Sequence, residues 1–286
     1  MSAELAIANQ LKPYGMRVIK DENFDAETMI DVTDDVAQYS PNTTETLDFF
    51  ETGNCYSAWA FNNQSFINLD GGQLGGGGSI NYPLTDGVFE SAVQFAGTSG
   101  AFLRPVSGNT ILSVNNHTIS LWIKVPVLTT RQRILSSGVY GDSDTPSSNA
   151  QEFRLETTGE LTMFTETGSG VNYNSSTGVF VPVNTWTNII ISIENATLKT
   201  YLNGVLTSTV TDFVPSTGSG SFLTFGRIFK QPNDGNNAEF ALDQVRLFNT
   251  VLTDEQALFL YENETLEGYK LTIPDNSKIV IPYYKA

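Results

Sequence analysis

The sequence predicts an all-β protein, a two-sheet antiparallel sandwich with one short C-terminal helix and an N-terminal arm. Three observations carry that reading. Short runs rich in β-branched and aromatic residues recur along the chain, among them SAVQFAG, TISLWIKV, EFRLETT, ELTMFTE, WTNIIISI, TLKTYLNG, FLTFGRI and ALDQVRLF. No helical pattern interleaves with them, which argues against a parallel sheet and for antiparallel layers. Gly, Ser, Thr and Asn are abundant, as many short strands joined by turns require.

Residues 1–54 differ in character from the rest of the chain. They include the acidic, weakly patterned DENFDAETMIDVTDD and the polar SPNTTET, and they read as an arm for assembly or attachment, or as an extra strand and loop packed on the main domain. Residues 55–263 form the string of strands. In TISLWIKV, Ile119, Leu121, Ile123 and Val125 share one face. In NIIISIENATLKTYLNGVL, Glu194 to Thr197 separate two strands, and Asn203-Gly204 supplies the positive φ angles of a tight hairpin. In ALDQVRLF, strict alternation puts Asp243, Val245 and Leu247 on one face and Leu242, Gln244, Arg246 and Phe248 on the other. Thr253 opens a helix. Thr253 and Gln256 make a capping box, Asp254 and Glu255 favour the positive helix end, and Ala257, Leu260 and Tyr261 form a stripe that presses on a sheet edge. Residues 264–286, with β-like runs around Pro274-Asp275-Asn276, read as a β tail.

Charge narrows the function. Asp and Glu number 31 against 15 Lys and Arg, for a net charge of −16 in 286 residues. Such a surface repels phosphate backbones and anionic lipid, so nucleic acid is not an expected partner. No apolar run reaches the length of a membrane span, and the first residues lack the basic and apolar regions of a signal peptide; the expectation is synthesis in a cytoplasm without membrane insertion. The lone cysteine, Cys55, rules out an internal disulfide framework and reads as a small buried hydrophobe.

Catalytic patterns are missing from the sequence. No strand carries a Glu-x-Asp-x-Glu arrangement, and Glu262 and Glu264 read as solvated residues beyond the helix. The one histidine, His117, reads as a turn residue before a strand. The glycines at 71, 72 and 75–78 lack the following helix and the lysine of a phosphate cradle, and read as a flexible loop. Trp122 and Trp186 fall in or beside strands, so packing is their expected role. Tyr140 and Tyr173, in loop-like segments, are the candidate ligand contacts. Asp243 is an acid on an apolar face, and a buried carboxylate needs a partner or a metal. Asp142 and Asp144, in YGDSDTPSSN, have a spacing that suits calcium's demand for several oxygens.

The order of these elements resembles the laminin G-like branch of the concanavalin A-like jelly rolls. The resemblance rests on VFESAVQFAGTSGAFL, on HTISLWIKV followed by RQRILSSG, on EFRLETTGELTMF, on PVNTWTNIIISIENATLKTYLNGVL and on ALDQVRLFNTVLTDEQALFLYEN, and it covers residues 55–263. It implies a jelly-roll sandwich and, at Asp70 and Asp243, a calcium site. A second acid that the family often carries in the closing strand is Gln244 here. The resemblance also implies a non-enzymatic virion protein, as in bacteriophage head decorations and tail fibres, oligomeric in the particle, partnered by other capsid or tail subunits and by cell-surface glycans. A soluble, lectin-like carbohydrate-binding module is the alternative.

Overall fold

The structure is a computed structural model. It describes residues 50, 54–61, 74–77, 80–84, 87–88, 91–97, 101–105, 116–137, 151–166, 171–215, 223–226 and 238–265, all within one compact unit, Asn42–Glu267. Among the described residues fifteen strands and one helix follow in order: β1 Cys55–Trp59, β2 Leu74–Gly77, β3 Ile80–Leu84, β4 Ala92–Ala96, β5 Phe102–Pro105, β6 Asn116–Lys124, β7 Gln132–Ser137, β8 Gln151–Leu155, β9 Glu160–Glu166, β10 Asn172–Phe180, β11 Thr187–Glu194, β12 Thr197–Leu202, β13 Val205–Val210, β14 Leu223–Phe225, β15 Glu239–Phe248 and α1 Asp254–Thr265. An eight-stranded sheet runs β13-β12-β11-β6-β15-β4-β3, with β1 added beside β15. A seven-stranded sheet runs β10-β9-β8-β7-β14-β5-β2. The expected two-sheet antiparallel jelly-roll sandwich is what the chain forms.

Period-two alternation fills the space between the sheets. Ile119, Leu121 and Ile123 point inward from β6, as does Val125 just beyond it, and Ile189, Ile191 and Ile193 from β11. Phe153, Leu155, Leu161 and Met163 meet them from β8 and β9. Trp59 packs edge-on against Phe225 with centroids 5.6 Å apart. Truncating one such aromatic to Ala would cost about 3–5 kcal/mol. The β12–β13 turn is the expected two-residue one, with Asn203 at φ +50° and Gly204 at φ +75°.

One outer face of the sandwich is sealed by α1. The capping box forms: Gln256 N–H donates to Thr253 Oγ1 at 3.2 Å, and Thr253 N–H donates to Gln256 Oε1 at 2.9 Å. Ala257 and Leu260 pack with Cys55, Ala58, Ile190, Tyr201, Phe248 and Leu252. These neighbours lie on β1, β11, β12 and β15 or just beyond it, so the helix covers the face of the eight-stranded sheet rather than its edge. Phe50 joins this cluster, with ring centroids 6.0 Å from Phe248 and 5.9 Å from Phe259. No helix among the described residues is long and apolar enough to cross a membrane.

Several expectations are corrected. Glu264 lies in the last turn of α1 and is fully buried, not solvated beyond the helix; the β tail read as starting at 264 therefore cannot begin before the helix ends at Thr265. Arg246 holds its carboxylate through an Nε–Oε1 contact of 2.8 Å, and Trp122 Nε1–H donates to Oε2 at 2.8 Å. Gly75–Gly77 form part of strand β2 instead of a flexible loop, because an extended edge next to β5 leaves no room for side chains: a Cβ on Gly77 would come within 2.4 Å of the Phe102 ring. His117 is the second residue of β6, faces the interior, and lies 3.4 Å from the amide nitrogen of Gln151 in the opposite sheet. Tyr173 sits on strand β10 rather than in a loop. Strict alternation fails in β15, where the register shifts between Asp243 and Arg246 and Gln244 takes φ +46°. The bulge flips the parity, so Phe240, Leu242, Val245 and Leu247 all reach the core.

Candidate functional site on the face of the seven-stranded sheet

With one outer face closed by the helix, the other belongs to the seven-stranded sheet. Phe153, Leu155, Leu161 and Met163 point inward, so the residues that alternate with them point outward. A row of them crosses the strands by register. Asn174 of β10 pairs with Phe164 of β9, Phe164 with Glu152 of β8, Glu152 with Ser136 of β7, and Ser136 with Thr224 of β14. Arg154 and Arg133 flank this row on β8 and β7 and are opposite each other.

Two guanidinium groups converge on one carboxylate oxygen. Glu152 Oε2 accepts from Arg154 Nε at 2.7 Å and from Arg133 Nε at 3.1 Å, and all three residues are buried. The Arg154 guanidinium also lies over the Phe164 ring, 4.0 Å from its centroid, where the ring quadrupole attracts the cation. At one end of the face Glu156 accepts from Arg131 Nε at 2.8 Å and from Thr162 Oγ1 at 3.0 Å. At the flank Ser176 Oγ and Gly178 N–H both donate to Glu160.

Two polar groups of this face are not satisfied by protein. Glu166 is two residues along β9 from Phe164 and 4% exposed, and its Oε2 has no hydrogen-bond partner. Thr224 is fully buried, and its Oγ1 has none either. Burial, and then the negative charge of Glu152, hold the Glu166 carboxyl above the usual carboxylate range. Leaving a buried polar atom unpaired costs about 1–3 kcal/mol.

The residues singled out from sequence are distributed differently. Asp243 is fully buried at the far side of the eight-stranded sheet. Its Oδ2 accepts from Val88 N–H at 2.7 Å, and its Oδ1 accepts from Gln244 N–H at 2.8 Å and Gln244 Nε2 at 3.3 Å. Gly87 permits this approach, since a Cβ there would stand 2.9 Å from Oδ2. These three contacts to the carboxylate come from hydrogen-bond donors, whereas calcium takes oxygen ligands. No group of three or more His, Cys, Asp or Glu suited to a metal ion occurs among the described residues. Asp70, Tyr140, Asp142 and Asp144 lie outside the described residues. Tyr173 is 37% exposed on the edge strand, opposite Thr165, and is not part of the polar row. Trp122 is buried and stacked on Tyr261, as packing requires. Sequence reading missed the Glu152–Arg154–Phe164 group. Its signal was present as alternation in QEFRL and ELTMF, but only the register between β8 and β9 shows which residues meet.

Comparison with known proteins agrees with this architecture. A search of the curated proteins found no match. Among solved structures the chain is similar to domain 4 of AbnA, a GH43 extracellular arabinanase from Geobacillus stearothermophilus, in complex with arabinotriose. That likeness has 22% identity and a TM-score of 0.57, and spans 73% of this chain and 98% of that one. It is also similar to the botulinum neurotoxin type G receptor binding domain, at 12% identity and TM-score 0.55, covering 73% of this chain and 51% of that one. A third likeness is the serotype D ligand binding domain in complex with N-acetylneuraminic acid, at 15% identity and TM-score 0.54, covering 73% and 50%. The chain thus spans about half the length of the two neurotoxin domains. A laminin G model described as the concanavalin A-like lectin/glucanases superfamily matches residues 96–257, more than half of the sequence. The chain belongs to the concanavalin A-like lectin/glucanases superfamily.

Proposed function

We propose that this protein is a non-catalytic glycan-binding domain whose ligand lies on the outer face of the seven-stranded sheet. The observation that carries the reading is the pair of buried, protein-unpartnered groups, Glu166 Oε2 and Thr224 Oγ1, beside the Arg133–Glu152–Arg154 cluster and Phe164. Sugar hydroxyls both donate and accept, so one ligand class can satisfy a carboxyl and a hydroxyl together. Phe164 and Thr224 lie three strand spacings apart, about 15 Å, further than one pyranose ring spans. An oligosaccharide fits that span better than a monosaccharide. Solved relatives of similar fold hold arabinotriose and N-acetylneuraminic acid, which makes those two glycans the first to try. A glycosidase needs two available carboxyls, and here Glu152 is engaged by two guanidinium groups.

The test is calorimetric titration with arabinotriose, N-acetylneuraminic acid and a panel of neutral oligosaccharides, on wild type, Phe164→Ala and Thr224→Val. Saturable binding that falls at least tenfold in both variants, with unchanged circular dichroism, supports the reading. Absence of binding across the panel, or binding that both variants retain, overturns it.

We further propose that the domain works on a virus particle, as a bacteriophage head-decoration or tail-fibre component, with residues 1–54 used for attachment and the sandwich for adhesion. Repeated display would turn a weak glycan contact into useful avidity. Support comes from the single cysteine, the high Gly, Ser, Thr and Asn content and the distinct composition of residues 1–54. Light scattering of the full chain, alone and with particles of the source virus, decides the setting. Binding to particles that is lost on removing residues 1–54 supports it, and a chain that ignores particles refutes it.

A further inference from the structure

Arg131, Arg154 and Arg246 each donate Nε–H to a carboxylate, and their surroundings set them apart. Arg246 is 1% exposed, closed in against Glu264 in the last turn of α1. Arg131 is 41% exposed, where solvent screens the pair. Arg154 is 9% exposed and fixed at two points. Its Nε donates to Glu152 Oε2 at 2.7 Å, and its Cζ lies 4.0 Å from the Phe164 ring centroid. Both terminal nitrogens are left over. Among the described residues nothing bonds to Arg154 Nη1 or Nη2, and neither is sealed away as a fully buried atom.

A guanidinium held this way is a ready-made fork. Its Nη edge presents parallel N–H groups in one plane, which match the two oxygens of a carboxylate. Ordering a long side chain on binding costs little here, because Glu152 and Phe164 already hold it. Charge agrees. Arg133, Arg154 and Glu152 together carry two positive charges against one negative. Glu166, two residues along β9 from Phe164, offsets that surplus weakly, because burial and then Glu152 disfavour its charged form. The chain as a whole has a net charge of −16. A polyanion would be repelled along its length, whereas a single carboxylate meets only the local surplus. We infer, resting on the glycan reading, that the sugar taken by this face is acidic: an oligosaccharide with one carboxylate-bearing unit, whose two carboxylate oxygens accept from Nη1 and Nη2 of Arg154.

Calorimetric titration of the full chain at pH 7 tests it with sialyllactose and with xylotriose bearing one glucuronic acid, each beside its own carboxyl methyl ester. Esterification removes the charge and keeps the shape. At least one acid should bind about tenfold to a hundredfold tighter than its ester, the worth of a charge-assisted hydrogen bond. Arg154→Lys keeps the cation and loses the fork; it should narrow that ratio to about threefold or less, with circular dichroism unchanged. The comparison of acid and ester on wild type needs no variant, so it decides even where Arg154→Lys fails to fold. Acids that bind no tighter than their esters overturn the inference and leave the glycan reading standing, as does a folded Arg154→Lys that keeps the full preference. If no acid, ester or neutral oligosaccharide binds, the glycan reading falls and this inference falls with it.

Discussion

Replacing Glu264 by Ala removes one half of a buried ion pair. Both side chains are 1% exposed, the Nε–Oε1 distance is 2.8 Å, and Trp122 Nε1–H occupies the other carboxylate oxygen. The variant leaves the Arg246 guanidinium charged in a dry site and the indole N–H unpaired. Breaking one partner of a buried pair costs about 3–5 kcal/mol, most of it the stranded charge. For a domain of this size each kcal/mol lowers Tm by about 2–4 °C, so the melting temperature should fall by about 6–20 °C. The double variant Arg246→Met/Glu264→Met removes both charges together with their desolvation cost. It should lose less than about 2 kcal/mol, which makes the coupling energy large. Urea unfolding at pH 7, followed by tryptophan emission and far-ultraviolet circular dichroism, measures Glu264→Ala and the four corners wild type, Arg246→Met, Glu264→Met and their double variant. If Glu264→Ala costs under about 1 kcal/mol, or the double variant equals the sum of the singles, the reasoning is wrong and α1 is held by its apolar contacts alone.

Three further outcomes are expected from the same geometry. Burial first, and then Glu152, raise the folded-state pKa of Glu166; the native state therefore binds its proton more tightly than the unfolded chain does. Its contribution to stability is full below the ordinary glutamate range and is lost as pH rises through the raised value. Glu166→Gln should melt with wild type near pH 4 and above it at pH 8, while glycan binding weakens; equal melting at both pH values would refute this. Because N–H donors hold Asp243, EDTA should shift Tm by less than about 1 °C, whereas a calcium-restorable drop of several degrees would reveal a linked cation. Gly204→Ala puts a Cβ 2.9 Å from Tyr261 Cβ and 3.0 Å from Leu258 Cα at φ +75°; it should cost roughly 1–2 kcal/mol from the left-handed backbone alone, and a denaturation midpoint unchanged from wild type would count against the observed turn.

Much of the scaffold is written locally. Ile119, Leu121, Ile123 and Val125 alternate, so any sheet they join must bury them together. Asn203-Gly204 fixes a two-residue turn because both positions need positive φ. Thr253 and Gln256 cap the helix through contacts within four residues, and this is information a short window contains. Glu264 was not legible in the same way: at the end of a helix, with Asn263 and Thr265 beside it, it looks solvated until Arg246 and Trp122 arrive from two other strands. Asp243 reads from its apolar neighbours as an acid in need of a partner or a metal, and one partner, the Val88 N–H, comes from 155 positions away in the chain.

By itself the sequence determined the two-sheet sandwich, the capped helix and the absence of a local catalytic motif, since strand periodicity, turn chemistry and caps act between near neighbours. Only the tertiary structure decided that Glu152, Arg154, Phe164 and Thr224 share one face, that Glu166 is buried there without a partner, and that α1 seals the opposite face. Those facts depend on strand order and register, and register is set by how both sheets fill one core at once, which no stretch of chain specifies alone.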